Sequence, residues 1–541
     1  MQLLTRNNLY QEQEFLKEAP SRPIFFDQTV IDDVGLSTNA FYLLKERFLR
    51  KSPQGDTIEN PSGLFRRVAH ALARAELLAV REQWREKFYE VMVKMEFHPG
   101  TRTLANAGTP HQQLANCFVF PLPDTQSDIF KTVQDSAIIK GHGGGCGFNY
   151  STVRPKGDTV RDVPDLAVGP VKLMKLFDMT TTMFRQQGRY ESGNMAVLNV
   201  DHPDILDFIA AKKQDGSLSM TNISLGVTNK FMEAVIEERP WDLINPRTGE
   251  VMRTLPAREI FETACRYAAE TGDPGILFLD HINKDNPLRE SMGDINATNP
   301  CGEIGLYPYE ACNLGYLNLT KFLLPESRRT DKLIFDEARL QDVVSVGIRM
   351  IDNAISVSWF PITEIQEAVQ ANRRIGLGVT GWADCLALSG IPYDSEAALA
   401  LAERLSATMY QAAYRTSVAL AKERGPFPNV EHSTWRGLAE QPRNVALLAF
   451  PPSGNNAVIF DTSFAIEPYF ALAYSENILG GVYIHHLNKH LLKALRSANL
   501  PTDGLAELIA EHHGSIQHIP WIPADIKTQF KTAHDIAPKW H

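Results

Sequence analysis

The sequence of 541 residues contains few cysteines, and they are widely spread, at positions 117, 146, 265, 301, 312 and 385. No C-x-x-C pair occurs among them, which excludes zinc ribbons and thioredoxin-type redox motifs. No apolar run reaches the ~18 residues of a membrane-spanning helix, and the first residues lack the apolar segment of a signal peptide. Because the formal net charge is -10, the chain also lacks the basic footprint of nucleic-acid-binding proteins. We therefore predict a cytoplasmic protein that binds neither nucleic acid nor membrane.

Histidines are poorly arranged for a metal held by the protein. His486 and His490 lie four positions apart and could share a helical face. The patterns that build zinc sites on helices, Glu-x-x-His and His-Glu-x-x-His, do not accompany them. The chain also has no Asp-x-His-x-x-Gly signature for a cobalamin with a displaced base. We predict no protein-bound metal and interpret these histidines as packed or solvated.

Short apolar runs of strand character alternate with helical stretches over most of the chain. Residues 375–379 and 445–450 are typical strand runs, whereas residues 395–424 combine a cap, an apolar stripe and a Gly-Pro stop that predict a long helix. Nearer the start, apolar residues recur at helical spacing instead. They are Phe65, Val68, Leu72, Leu77 and Leu78. The pattern predicts an α/β protein with a mainly helical region over residues 1–95 and one large barrel domain over residues 96–541.

The most informative stretch places an amide, a thiol and a carboxylate at alternate positions, Asn299, Cys301 and Glu303, with Pro300 and Gly302 between them. If the stretch is extended, side chains two apart share one face, so all three groups can meet one small molecule. Proline and glycine instead favour a tight, unusual loop over an ordinary buried strand. A typical cysteine is an inert buried thiol, but the neighbouring Asn299 and Glu303 favour a catalytic role for Cys301.

Three further segments carry weaker signals. The glycine run over residues 141–147 allows a backbone to approach a ligand closely, although a structural turn explains it about as well. Residues 451–456 follow a strand-like run with small polar side chains, which can present N–H groups to a phosphate; an ordinary strand–helix turn is the favoured interpretation. Residues 186–194 are polar throughout and are typical of an exposed loop.

Taken together, these segments closely resemble the large catalytic subunit of ribonucleotide reductases, and specifically the adenosylcobalamin-dependent class II enzymes. The resemblance covers nearly the whole chain. It is carried by residues 114–118, 143–148, 154–157, 201–205, 299–303, 374–379 and 466–468. The Asn-Pro-Cys-Gly-Glu run, with Cys312 eleven positions after its cysteine, is its most specific part, and this spacing favours class II over class I.

The resemblance implies a ten-stranded α/β barrel of two half-barrels, in which a finger loop carries Cys301 to the centre. A radical from adenosylcobalamin would take the hydrogen atom of Cys301, and the thiyl radical would then abstract the ribose 3′-hydrogen. Glu303 would accept the 3′-hydroxyl proton and Asn299 would hydrogen-bond the substrate. Cys117 and Cys312 would supply a proton and two reducing equivalents for loss of the 2′-hydroxyl as water, ending as a disulfide.

Substrate and effector positions follow from the same resemblance. The implied substrate-binding residues are Thr103, Asn116, Gly145, Pro452, Ser453, Gly454, Asn455 and Asn456, and the last five form a diphosphate loop. Asp124 and Arg189 would bind a deoxynucleoside triphosphate effector. The loop that relays effector identity departs from the family pattern, because Tyr190, Glu191 and Ser192 stand where relatives carry arginines.

The resemblance also implies partners. They are a ribonucleotide substrate, a thioredoxin-like or other thiol reductant, and a second copy in a homodimer. No ATP-cone domain is expected, and the chain ends where the family continues into the last barrel segments and a C-terminal cysteine pair, so a second polypeptide could complete it. Two other interpretations stay open: a class I subunit that receives its radical from a separate protein, and a catalytically silent nucleotide-binding paralogue. Retention of the complete set of site residues argues against silence.

Overall fold

The computed structural model describes residues 30–184, 192–214, 216–330, 334–479 and 482–541. The strands are β1 (Phe97–Pro99), β2 (Cys117–Phe120), β3 (Gly145–Asn149), β4 (Asn194–Asn199), β5 (Thr221–Val227), β6 (Pro240–Ile244), β7 (Val251–Pro256), β8 (Gly275–Phe278), β9 (Ala311–Cys312), β10 (Leu314–Asn318), β11 (Gly376–Thr380), β12 (Ala473–Leu479) and β13 (Val482–Leu487).

The helices lie mostly between these strands. They are α1 (Thr38–Arg47), α2 (Pro61–Ala73), α3 (Leu78–Val93), α4 (Thr101–Asn106), α5 (Gln126–Gly141), α6 (Gly169–Met183), α7 (Ile205–Ile209), α8 (Asn229–Ile236), α9 (Ala257–Thr271), α10 (Leu279–Asn283), α11 (Arg289–Met292), α12 (Glu337–Val357), α13 (Thr363–Asn372), α14 (Trp382–Leu388), α15 (Glu396–Arg424), α16 (Gly454–Phe460), α17 (Lys489–Ser497), α18 (Leu505–Glu511) and α19 (Ala524–Gln529). Short 3-10 turns occupy Leu319–Phe322, Glu326–Arg328, Pro428–His432, Ala533–Asp535 and Pro538–Trp540.

The described part of the N-terminal region is helical, as predicted, but its apolar residues do not form one continuous stripe. Phe65, Val68 and Leu72 are fully buried on α2, which starts with a proline that suits the first helical position. Leu77 and Leu78, expected on the same stripe, are 79% and 82% exposed. The chain turns after α2 and starts α3 at Leu78, so the phase of the buried face changes there.

A curved sheet of six strands forms half of a barrel, in the order β8-β5-β4-β3-β2-β9. The first five of these run parallel, and β9 closes the sheet antiparallel to β2. Only Asn313 separates β9 from β10, which pairs antiparallel with β1 and parallel with β11 in a second sheet. One short segment therefore joins both sheets. This architecture confirms the predicted α/β fold with a helical N-terminal region.

The predicted strand at residues 445–450 is wrong in detail. The segment lies beside β11, where the Ala449 N–H donates to the Leu377 carbonyl, but it forms one isolated bridge, between Leu377 and Leu448. Pro451 and Pro452 follow it, and neither has a backbone N–H to extend a ladder.

The long helix predicted over residues 395–424 is confirmed as α15. The Ser395 hydroxyl caps it by accepting from the Ala398 N–H, and Gly425 ends it. Leu401, Leu405 and Met409 of its predicted stripe are buried. Helix α15 packs against α12.

Candidate active site

Residues 297–306 form a finger-like hairpin. Thr298 and Gly305 pair antiparallel, and the Gly302 N–H donates to the Asn299 carbonyl at 3.1 Å to close the turn. Gly302 has a φ of 83°, which L side chains rarely adopt. The tight loop favoured by Pro300 and Gly302 is thus observed instead of an extended strand. Its geometry buries Asn299 completely and exposes Cys301 at the tip.

Strand β3 holds this finger because it carries two glycines. A Cβ on Gly147 would stand 1.9 Å from the Thr298 carbonyl oxygen, and one on Gly145 would stand 2.7 Å from the Pro300 ring. From β5, the Asn222 side-chain amide donates to the Pro300 carbonyl at 2.9 Å. The glycine run, open between two interpretations from the sequence, therefore lets the finger lie directly against the strand.

The structure brings Cys117 and Cys312 together. They are register partners of the antiparallel pair β2–β9, and opposed residues in such pairs have Cα atoms about 4.5–5.5 Å apart, within the range of a disulfide. Both are free thiols. Burial raises the pKa of Cys312 well above its ordinary value, and its contact with the Cys117 side chain raises it further.

The surroundings of the finger favour the protonated, uncharged forms of Cys301 and Glu303. Burial raises the pKa of Cys301, and the neighbouring Cys117 and Glu303 raise it further. Many protein atoms surround this thiol, although part of it is open to solvent. Burial also raises the pKa of Glu303, and the side chain of Asn299 opposes that rise. The Nδ2 atom of Asn299 nevertheless makes no hydrogen bond of normal geometry.

Several buried polar atoms near the finger lack hydrogen-bond partners among the described residues. Three are acceptors, namely Asn116 Oδ1, Glu303 Oε2 and Asn456 Oδ1, and Asn299 Nδ2 is a donor. The Asn456 amide donates to the Pro99 carbonyl at 3.2 Å, and Asn116 Oδ1 would lie 2.7 Å from a Cβ on the adjacent Gly100. Since buried polar groups are normally satisfied, this set is suited to receive a polyhydroxylated ligand.

The predicted diphosphate loop is held from several sides. The Ala465 N–H donates to Ser453 Oγ at 2.7 Å, and the Tyr316 hydroxyl donates to the Pro452 carbonyl at 2.9 Å. A Cβ on Gly454 would have no neighbour within 4 Å, so the space above the loop is open. Asn455 accepts a hydrogen bond from Arg47 of α1. Thr103 is buried near this region, but its hydroxyl already donates to the Leu114 carbonyl at 3.1 Å.

The predicted effector residue Asp124 lies outside this cluster, beyond the end of β2. Arg154 donates to its carboxylate from the backbone N–H at 3.1 Å and from Nε at 2.6 Å. Arg189 falls outside the described residues.

Sequence reasoning missed two residues that contact the site. Asn222 acts across the sheet, and no local pattern marks it. Tyr316 is buried, which raises its pKa well above its ordinary value, and the nearby Glu303 and the three site cysteines raise that pKa further. The sequence could have predicted this, because Tyr316 follows Cys312 by four positions in extended chain, and residues at that spacing share one face of a strand.

Sites of two other kinds are absent from the described residues. Across residues 30–541, apart from the short gaps given above, no helix is long and apolar enough to cross a membrane. The same residues contain no group of three or more His, Cys, Asp or Glu side chains that could hold a metal ion.

The fold and the site define a barrel protein that presents one cysteine on a central finger, opposite a cysteine pair. Residues 115–442 and 439–541 match the family "Ribonucleotide reductase, barrel domain", and residues 34–112 match "Ribonucleotide reductase, all-alpha domain". The chain belongs to the ribonucleotide reductase large-subunit family, which confirms the resemblance drawn from its motifs.

Curated relatives agree with this assignment. A vitamin B12-dependent ribonucleoside-diphosphate reductase of Mycobacterium tuberculosis is 40% identical over 95% of this chain and 73% of its own length. The protein of the same name from Thermoplasma acidophilum is 36% identical over 95% of this chain and 73% of its own. A ribonucleoside-diphosphate reductase large subunit of Caenorhabditis elegans is 28% identical over 92% and 69%.

Proposed function

We propose that this chain is the catalytic subunit of an adenosylcobalamin-dependent ribonucleotide reductase, which converts ribonucleoside diphosphates to 2′-deoxyribonucleotides by radical chemistry. The observation that carries the proposal is the set of unpartnered buried polar atoms around Cys301, next to the opposed pair Cys117 and Cys312. The two hydroxyls of a ribose, at adjacent carbons, can each donate to one acceptor of that set.

The residues at the finger fit a radical-supplying cofactor in one respect. Cys301 is exposed at the tip, and its raised pKa keeps the hydrogen on sulfur, where such a group must find it. When bound, adenosylcobalamin supplies the radical equivalent that removes this hydrogen atom.

The remaining steps belong to the protein. The Cys301 thiyl radical takes the 3′-hydrogen of the ribose and later returns a hydrogen atom to that carbon. Glu303 accepts the proton of the 3′-hydroxyl, and the unpartnered Asn299 amide orients the substrate.

Replacing the 2′-hydroxyl by hydrogen requires two electrons and two protons, which the two thiols of the cysteine pair supply. One of Cys117 and Cys312 protonates the 2′-hydroxyl, which leaves as water, the other provides the hydrogen that the 2′-carbon gains, and the two sulfurs join in a disulfide. An external thiol, such as a thioredoxin-like protein, must then reduce that disulfide before the next turnover. The register of β2 and β9 supports this pairing.

The substrate's diphosphate is proposed to bind at residues 452–456, with Asn116, Thr103 and Gly145 near the sugar. The open space at Gly454 supports this placement. A deoxynucleoside triphosphate effector would bind near Asp124. It would either displace Arg154 from the Asp124 carboxylate or contact Arg154 itself. Because Phe130, Met179 and Met183 expose apolar surface on α5 and α6, we place a homodimer contact on these helices.

The test is reduction of ribonucleoside diphosphates by the full chain with adenosylcobalamin and dithiothreitol. Cys301→Ser should abolish product formation. Cys265→Ser is the matched control, because Cys265 is also exposed but lies on α9, and it should retain activity. Cys117→Ser should still support cofactor cleavage while blocking turnover.

Other outcomes would contradict the proposal. Activity that ignores cobalamin and requires a metal-containing second subunit would assign the chain to class I. A chain that binds nucleotides but neither reduces them nor cleaves the cofactor, with or without substrate, would instead be a silent paralogue.

A further inference from the structure

Helix α1 of the N-terminal region reaches the proposed diphosphate loop. It packs against α16, which begins within that loop. At the end of α1, Arg47 Nη1 donates to Asn455 Oδ1 at 2.8 Å. A guanidinium from another part of the fold is thereby fixed beside residues 452–456.

The loop itself carries no cation. Residues 451–456 are two prolines, a serine, a glycine and two asparagines, so they can offer neutral donors but no charge to a diphosphate. Hydrogen bonds from an ionised donor to phosphate are roughly twice as strong as neutral ones. Arginine suits this task because its planar fork carries five N–H donors and matches oxyanion geometry. One guanidinium can therefore bind more than one acceptor.

Two observations indicate that a ligand occupies this region. The space above Gly454 is open, because a Cβ at that position would have no other atom within 4 Å. Asn456 is 1% exposed, and its Oδ1 has no partner among the described residues. This acceptor requires a donor such as a ribose hydroxyl, while the guanidinium of Arg47 attracts an anion. A phosphorylated nucleoside supplies both.

We propose that Arg47 binds a phosphate of the ribonucleoside diphosphate and is a specificity-determining residue for the length of the phosphate chain, with Asn455 positioning it. The inference rests on the proposed function, because it assumes a nucleotide at this loop. It assigns part of substrate recognition to the helical N-terminal region, so the barrel alone does not complete the site.

The experiment measures affinity of the full chain for the four common ribonucleoside diphosphates, the corresponding monophosphates and the nucleosides by titration calorimetry. Loss of one charge-assisted contact should weaken diphosphate binding to Arg47→Gln by about ten- to hundredfold, while nucleoside binding changes less than about twofold. Arg47→Lys keeps the charge without the planar fork, so its affinity should fall between the two.

Arg50→Gln is the matched control, since it removes the same charge three residues later from an exposed side chain and should bind like wild type. Thermal unfolding checks each variant, and Arg47→Lys provides the test if Arg47→Gln does not fold. If the Arg47 variants bind diphosphates as tightly as wild type, the assignment of Arg47 is overturned and the proposed function stands. If wild type binds no ribonucleotide, both are overturned.

Discussion

Gly147→Ala should disable the site without touching any proposed catalytic group. Gly147 lies on β3, opposite the backbone of the finger that carries Cys301. A Cβ there would stand 1.9 Å from the Thr298 carbonyl oxygen, whereas real Cβ atoms essentially never come closer than 3.0 Å to another atom. The obstacle is backbone, which cannot rotate away as a side chain can. Strand and finger must therefore separate by more than about 1 Å, since overpacked atoms are strongly repelled.

The magnitude follows from how reactions depend on position. A misplacement of about 1 Å can cost roughly a hundredfold in rate, and overpacking a core typically costs about 1–3 kcal/mol of stability. We expect kcat to fall about a hundredfold or more, with a moderate loss of stability. Gly145→Ala should be milder, because its Cβ would meet the Pro300 ring at 2.7 Å and Cys117 Sγ at 3.2 Å, a smaller overlap than the 1.9 Å contact at Gly147.

The assay is the reductase reaction, with urea unfolding measured in parallel. Gly141→Ala is the control, because Gly141 ends helix α5 and a Cβ there would have no neighbour within 4 Å. Alanine in a helix should leave stability unchanged or raise it by up to about 1 kcal/mol. Wild-type kcat in Gly147→Ala, at unchanged stability, would refute the close approach of strand and finger.

Three further predictions concern protonation. Because burial raises the pKa of Glu303 above its usual 4.5 and the base must be ionised, the acidic limb of the rate profile should lie above pH 4.5; a limb below that value would contradict its role. Burial alone would raise the pKa of Glu76, but two arginines and an asparagine lower it to about 2. Its stabilising effect should be complete above pH 4.5 and lost as the pH falls toward 2, so urea unfolding of wild type and Glu76→Gln should converge there, and parallel curves would refute this. Finally, iodoacetamide should modify Cys301 more slowly than Cys265 at neutral pH, although both are exposed; equal rates by peptide mass spectrometry would argue against a protonated thiol.

Local signals made the finger and the long helix predictable. Pro300 and Gly302 restrict the backbone within a few residues of the turn that they form, and Ser395 and Gly425 act on the helix ends beside them. Where the signal depended on a neighbouring strand, prediction was weaker. Residues 445–450 have a strand composition, yet their hydrogen bonds to β11 are too irregular for a ladder.

Contacts between distant parts of the chain could not be predicted from the sequence. Arg47 and Asn455 are 408 positions apart, and Asn222 and Pro300 are 78 apart. Arginine at the end of a helix is favoured by the helix dipole alone, so Arg47 had an adequate local explanation. The fold brings the members of each pair together, which only the folded backbone reveals.

The electrostatics of the finger favour neutral sulfur. A cysteine that acts as a nucleophile needs a lowered pKa, which a nearby cation or a helix N-terminus provides. Here burial, Cys117 and Glu303 all raise the pKa of Cys301, and burial does the same for Cys312. A hydrogen atom can be taken only from a sulfur that still carries it, and a proton can be donated only by a thiol. The surroundings that make these cysteines poor nucleophiles are therefore the ones that the proposed radical reduction with proton transfer requires, with Glu303 as its proposed base.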